Sequence, residues 1–194
     1  MLLLASQSPR RKELLSQLGV KFTTLNVDID ETQLANEDSN DYVIRLAIEK
    51  AQQGWRQHTQ VDGVIGADTI VVVDSGNQEQ VLGKPDNFQH ARQMWQQLSD
   101  RQHKVKTAVA LKNHLGTEHF IVETAVRFKL LSEAEMQWYW QTGEPQDKAG
   151  AYGIQGFAGN FVKHINGSYS AVVGLPLYET SELIKQAGIK LYEC

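Results

Sequence analysis

Between Val64 and Val73 the chain reads VIGADTIVVV, a run whose β-branched content makes it a buried strand, with one carboxylate, Asp68, in its middle. Burying an unpaired charge costs several kcal/mol. Asp68 must therefore be paired, protonated, open to solvent in a cleft, or bound to a metal, and Thr69 beside it adds a hydroxyl. The plain alternative ends the strand at Asp68 and makes it a loop cap. Ile70 to Val73 continue the apolar run, which weighs against that.

Helices and strands alternate around this run. Leu2 to Ala5 reads as a short buried strand, and a helix follows from about Pro9 to Leu18, with Ser8 to cap it, Pro9 at its first position and Gly19 to close it. A strand over Phe22 to Val27 and an acidic loop lead to a helix from near Asn40 to Trp55, whose inner stripe is Val43, Leu46, Ala47 and Ala51. Ser75-Gly76-Asn77 suits a hairpin turn into a strand over Gln80 to Leu82. Phe88, Ala91, Trp95 and Leu98 mark the next helix. Val105 to Leu111 and Phe120 to Phe128 are expected as alternating, neighbouring antiparallel strands. Ser132 with Glu135 predicts a capping box for a helix ending at Gly143. A glycine-rich loop, a strand over Phe161 to Ile165 and a helix from about Pro176 to Ala187 complete an α/β chain with a mixed sheet.

With 194 residues, 41% of them hydrophobic, the chain can bury a core as one domain over 1–194, or as two lobes sharing a cleft. A net charge of -4 disfavours partners that need a broad basic face, so neither nucleic acid nor membrane is expected, and phosphate binding would have to be local. One cysteine, Cys194, excludes internal disulfides and zinc sites built on several cysteines, and a reducing cytoplasm fits best. Met1 to Ala5 is too short for a signal-peptide core, and no apolar run approaches bilayer length.

Four features break the rules that folding alone would follow. Asp68 is one. Arg10, Arg11 and Lys12 put cations into a helix's first turn, where each costs about 0.3 to 1 kcal/mol against the dipole. A Ser-rich turn and helix start carrying cations would nevertheless receive a phosphate chain; a solvated basic turn is the equal alternative. Asp28, Asp30 and Glu31 follow a strand and offer hard oxygen donors for Mg²⁺ or Mn²⁺, with Asp68 as the proposed partner, although acidic loops also occur simply because they are soluble. Lys50 falls on the apolar stripe of its helix, and Lys84 sits in a Gly-Lys-Pro turn; both could neutralise a triphosphate, and snorkelling would also explain Lys50.

Gly150, Gly153, Gly156 and Gly159 punctuate DKAGAYGIQGFAGNF, which reads as a loop built for close approach to a ligand, with Gln155 able to read the edge of a base; a flexible connector is the alternative. Walker A, G-x-G-x-x-G, H-E-x-x-H and G-x-S-x-G patterns are absent. The six histidines have no ligand spacing and read as surface or packing residues.

In order along nearly the whole chain, ASQSPRRKELL, DIDE, GADTIV, GKP, DKAGAYGIQG and NGSYSAVVGLPL resemble the Maf family of nucleotide pyrophosphatases. The resemblance implies two α/β lobes around a deep cleft, as in inosine triphosphate pyrophosphatases. It implies a proton acceptor at Asp68, a divalent cation (Mg or Mn) at Glu31 and Asp68, and phosphate contacts from Ser6, Arg11, Lys50 and Lys84. Arg10, Thr69 and Gln155 match positions that set base choice. The DKAGAYGIQG block is similar to the branch acting on dTTP and UTP rather than on 7-methyl-GTP. The expected reaction is hydrolysis to monophosphate and pyrophosphate, a house-cleaning role with a link to arrest of cell division. A nucleotide-binding regulator of septum formation without turnover is the competing expectation. The partners this leaves are the nucleoside triphosphate and, at most, a second copy of the chain.

Overall fold

The computed structural model describes residues 1–76 and 78–192, with only the backbone of Gln78. Asn77, in the expected hairpin turn, and Cys194 lie outside the described residues. The chain forms two compact units.

The first unit comprises Met1–Asp68, Thr107–Val122 and the chain from Gly174 onward. Strand β1 (Leu2–Ala5), buried at every residue, pairs in parallel with β2 (Phe22–Leu25) on one side and with the start of β3 (Gly63–Ser75) on the other. Parallel neighbours need helical crossovers, and these are α1 (Pro9–Ser16) and α2 (Ser39–Gln57). Ser8 caps α1 by accepting the Arg11 N–H, and Asp38 caps α2 by accepting those of Asn40 and Asp41. The predicted stripe of α2 is buried, and Lys50 is buried with it. Leu3, Ala5 and Val64 form a small apolar cluster here, packed by Leu25, Val27, Trp55 and Val61.

The second unit comprises Thr69–Lys106 and Glu123–Val173. The rest of β3 pairs antiparallel with β4 (Gln78–Leu82), and α3 (Phe88–Leu98) follows, capped by Asn87. Strands β5 (Gln102–Lys112) and β6 (Thr117–Phe128) are sheet neighbours, and β7 (Val162–Asn166) lies antiparallel to β6. Helix α4 (Glu133–Gln141) begins with the expected capping box of Ser132 and Glu135. Trp95, Tyr139, Phe128, Phe161 and Tyr152 dominate the core of this unit.

Hydrogen bonding links the strands in the order β2-β1-β3-β5-β6-β7, with β4 on β3, so the sheet is mixed as expected. Three expectations change. β5 does not alternate: Val105 to Leu111 are all buried, so tertiary cover on both faces overrides the period-2 signal. The glycine-rich segment is not an open loop but a series of 3-10 turns at Glu144–Asp147, Ala149–Ala151 and Phe157–Phe161. The turn expected at Asn166 to Tyr169 runs into a short helix, α5 (Tyr169–Val173), where the Ser168 hydroxyl accepts the Ala171 N–H. The last helix, α6 (Leu177–Gln186), lies where predicted. Among the described residues no helix is long and apolar enough to cross a membrane.

Candidate active site

The placement of Asp68 begins with Gly66, two residues earlier and thus on the same face of β3. A Cβ at Gly66 would fall 2.2 Å from the Ala47 carbonyl oxygen and 2.5 Å from the Ala51 nitrogen, so strand and helix backbones touch there. That contact brings position 50 of α2 opposite position 68 of β3. The Lys50 Nζ donates to Asp68 Oδ1 at 2.6 Å and lies 2.6 Å from Glu31 Oε1. Lys50 and Asp68 are each 8% exposed. The lysine does not snorkel: its ammonium joins two carboxylates, and that pairing makes a buried aspartate tolerable.

Glu31 comes from an irregular segment that α2 holds by its backbone. Tyr42 donates its hydroxyl to the Glu31 carbonyl at 2.7 Å, and Arg45 Nη2 donates to the Thr32 carbonyl at 3.0 Å. Arg45 also forks onto Glu37, at 2.6 and 2.9 Å, and Glu37 accepts the Leu34 N–H. This pairing raises the Arg45 pKa and lowers that of Glu37. The acidic cluster read from the sequence divides accordingly. Glu31 faces Lys50, whereas Asp30 accepts the Thr32 N–H and its carboxyl is lowered by Thr32, side chain first and then backbone.

Arg11 donates its Nε to the Gly174 carbonyl at 3.0 Å. Burial lowers its pKa, Asp68 and Glu31 pull it back up, and Arg10 lowers it further, so these four charges share one electrostatic neighbourhood. A guanidinium stays cationic throughout. Burial, then Asp68 and Glu31, raise the Tyr42 phenol. Ser6 lies in the turn before α1, its hydroxyl accepting the Ser8 N–H at 3.2 Å. Arg11 and Lys50 thus stand with two carboxylates, and Arg10 adds its charge beside Arg11, an arrangement able to receive a polyanion.

The remaining predicted residues belong to the second unit. Thr69 directly follows Asp68 and is half-buried; Lys84 and Gln155 are exposed. The Gly-Lys-Pro turn and the glycine-rich segment meet there, the Gly150 N–H donating to the Gly83 carbonyl at 3.0 Å. Packing calls for glycine at two of these positions: a Cβ at Gly156 would fall 2.0 Å from Glu144 Oε2, and at Gly150 2.9 Å from Val71 Cγ2. Asp147 and Lys148 pair with each other at 2.8 Å.

Sequence reasoning missed Tyr42, Arg45 and Glu37, which hold the Glu31 segment, and Glu144. All are polar groups of ordinary type on half-buried faces. Only the Arg45 and Glu49 pair, four residues apart on α2, left a readable signal.

Two carboxylates already converge on one positive charge, and this donor set fits a divalent cation. Among the described residues no group of three or more His, Cys, Asp or Glu could hold a metal. Magnesium, however, commonly takes only one or two carboxylates and completes its shell with water and substrate phosphate.

Paired carboxylates among cations on an α/β frame are the class of site this defines. The chain belongs to the family described as Maf-like protein, whose model matches residues 1–187. It is similar to a dTTP/UTP pyrophosphatase of Pseudoalteromonas atlantica, 54% identical and covering 100% of both chains. A dTTP/UTP pyrophosphatase of Shigella dysenteriae is 51% identical over 94% of this chain and 91% of its own. Among solved structures, a nucleoside-triphosphatase / dITP/XTP pyrophosphatase from Mycobacterium abscessus is 21% identical over 66% of this chain and 73% of that one, with a TM-score of 0.45, too partial a likeness to carry any argument.

Proposed function

We propose that this chain is a cytoplasmic nucleotide pyrophosphatase that hydrolyses dTTP and UTP to the monophosphate and pyrophosphate. The observation that carries the reading is the convergence of Glu31 and Asp68 on Lys50, beside Arg11. It is supported by full-length likeness to relatives named for that activity.

Asp68 accepts the proton of the attacking water as general base. Attack at the α-phosphorus expels pyrophosphate, whose charge is met by Arg11, Lys50, Lys84 and the start of α1 beside Ser6. Glu31 and Asp68 would hold a divalent cation, Mg or Mn, which when bound polarises the phosphoryl group and acidifies water. Arg10, Thr69 and Gln155 choose the base, Gln155 through an amide that can both donate to and accept from a pyrimidine edge.

Purified protein incubated with Mg²⁺ or Mn²⁺ and a panel of triphosphates tests this directly. Monophosphate and pyrophosphate, formed fastest from dTTP and UTP, are expected. Free orthophosphate would contradict cleavage between the α- and β-phosphates, and tight binding with no product would point to a nucleotide-sensing role instead.

A further inference from the structure

Gln155 is exposed, and nothing in its own side chain explains how its amide would be held for base reading. Its backbone, however, is bracketed. Two residues before it, the Gly153 N–H donates to the Tyr139 hydroxyl at 3.1 Å; two residues after it, the Phe157 N–H donates to Glu144 Oε2 at 2.9 Å. The brackets are one unit, because the Tyr139 hydroxyl donates to Glu144 Oε1 at 2.7 Å.

The support beneath them is firm. Tyr139 is 0% exposed, stacked at a tilt on Trp95 and edge-on to Phe161. Burial, then the bond to Glu144, raise its phenol, so the hydroxyl keeps its proton and serves at once as donor and acceptor. The Glu144 N–H donates to the Thr142 hydroxyl oxygen at 3.2 Å. The backbone presses against this carboxylate so closely that a side chain at 156 would displace it, and one at 153 would strike the Lys148 stem at 2.7 Å. Both oxygens of a half-buried carboxylate are thus committed, Oε2 directly to the segment that carries Gln155 and Oε1 to the Tyr139 hydroxyl that holds the Gly153 N–H, and the glycines on either side of Gln155 are what such an approach requires.

We infer that Glu144, oriented by Tyr139, is a positioning residue for Gln155 and sets discrimination between nucleobases without touching the base. This rests on the assignment of base reading to Gln155 made above. Glu144→Gln leaves one acceptor oxygen where two are used. Tyr139→Phe removes the hydroxyl that links the brackets.

The test measures kcat and KM of the full chain for UTP and CTP, which differ in the groups their base edges present. The proteins are wild type, Gln155→Ala, Glu144→Gln, Tyr139→Phe and the double variant Glu144→Gln/Gln155→Ala. Glu144→Gln and Tyr139→Phe should each lower the UTP-to-CTP ratio of kcat/KM, on the order of tenfold for loss of one charge-assisted bond. The double variant should lose no more of the ratio than Gln155→Ala alone. If Gln155→Ala collapses the ratio while Glu144→Gln and Tyr139→Phe slow both substrates equally, the inference is overturned and the role of Gln155 stands. If Gln155→Ala leaves the ratio untouched, the reading of Gln155 fails. The bracket is then judged by amide hydrogen exchange: faster exchange at Gly153 and Phe157 in Glu144→Gln upholds it, and unchanged exchange overturns it. Should Glu144→Gln fail to fold, Tyr139→Phe decides by the same ratio and the same exchange.

Discussion

Lys50 and Asp68 are anomalies that explain each other. A charge on the apolar stripe of a helix and a charge in a β-branched strand each look costly, and only their 2.6 Å contact, with Glu31 as second acceptor, makes either affordable. Because Lys50 keeps Glu31 when Asp68 is neutralised, Asp68→Asn should retain the fold with a modest loss of melting temperature. Turnover should fall by ~10²- to 10⁴-fold, the range for removal of a general base. Wild-type turnover of UTP by that variant would remove Asp68 from its role. Lys50→Met leaves a buried carboxylate without its cation and should cost roughly 3 to 5 kcal/mol by chemical denaturation. His103 on β5 gives a separate, pH-dependent case. It is 2% exposed, shares a 2.8 Å bond with the Tyr152 hydroxyl, and its Nδ1 has no partner among the described residues. Burial lowers its pKa from 6.5 to about 4. As pH falls through this window the unfolded chain takes up a proton that the native state refuses, so stability is lost between about 6.5 and about 4, by at most roughly 3 kcal/mol. His103→Gln, which can still bond Tyr152, should flatten the acid limb of a stability-against-pH curve over that interval. An unchanged limb would mean that other groups set it.

At the scale of elements, the contact of β3 with α2 at Gly66 is what turns two separate signals into a site. Gly66→Ala would place a methyl within 2.2 Å of the Ala47 carbonyl oxygen, a backbone atom with little freedom to yield. The strand must then move away from the helix. The expected loss is about 3 kcal/mol or more, and a melting point lower by roughly 6 to 12 °C, with activity falling faster than stability as Asp68 retreats from Lys50. A melting point within a degree of wild type would mean the two backbones are not in contact. Much of this framework was legible, since β1, α1, α2, α3, α4 and α6 announce themselves by period and caps, and the box of Ser132 and Glu135 forms as written. α5 was not, because five residues fall below the length at which local signals favour a helix, and it forms under tertiary contact. The 3-10 turns around Gly150 were hidden for a related reason: glycine permits many conformations, and the choice is made by Glu144 and Val71, distant partners that the local sequence does not name. In the candidate site the types of residue were readable one by one, but which acid Lys50 would meet depends on contacts 18 and 19 positions away in the sequence.

For the whole molecule, a net charge of -4 stands against binding a triphosphate at long range. At physiological ionic strength that repulsion is screened beyond about 8 Å, so the local excess of Arg10, Arg11 and Lys50 over Glu31 and Asp68 decides. Ligand binding to the native state alone then stabilises the chain by mass action, independently of turnover. A UTP analogue with a methylene in place of the α-β bridging oxygen separates the two, because it should occupy the pocket without being cut. At one hundred times its dissociation constant it should contribute about 2.7 kcal/mol, a rise in melting temperature of roughly 5 to 11 °C for a chain of this size, with Mg²⁺ or Mn²⁺ present. The corresponding ATP analogue at equal concentration should contribute less, because Gln155 and its neighbours would meet a purine edge. Arg11→Ala should reduce the rise for both analogues alike, as a phosphate contact would, whereas Gln155→Ala should narrow the gap between them. Equal stabilisation by the two analogues in the wild-type protein would count against pyrimidine choice while leaving polyphosphate binding intact, and no stabilisation by either would remove the pocket itself.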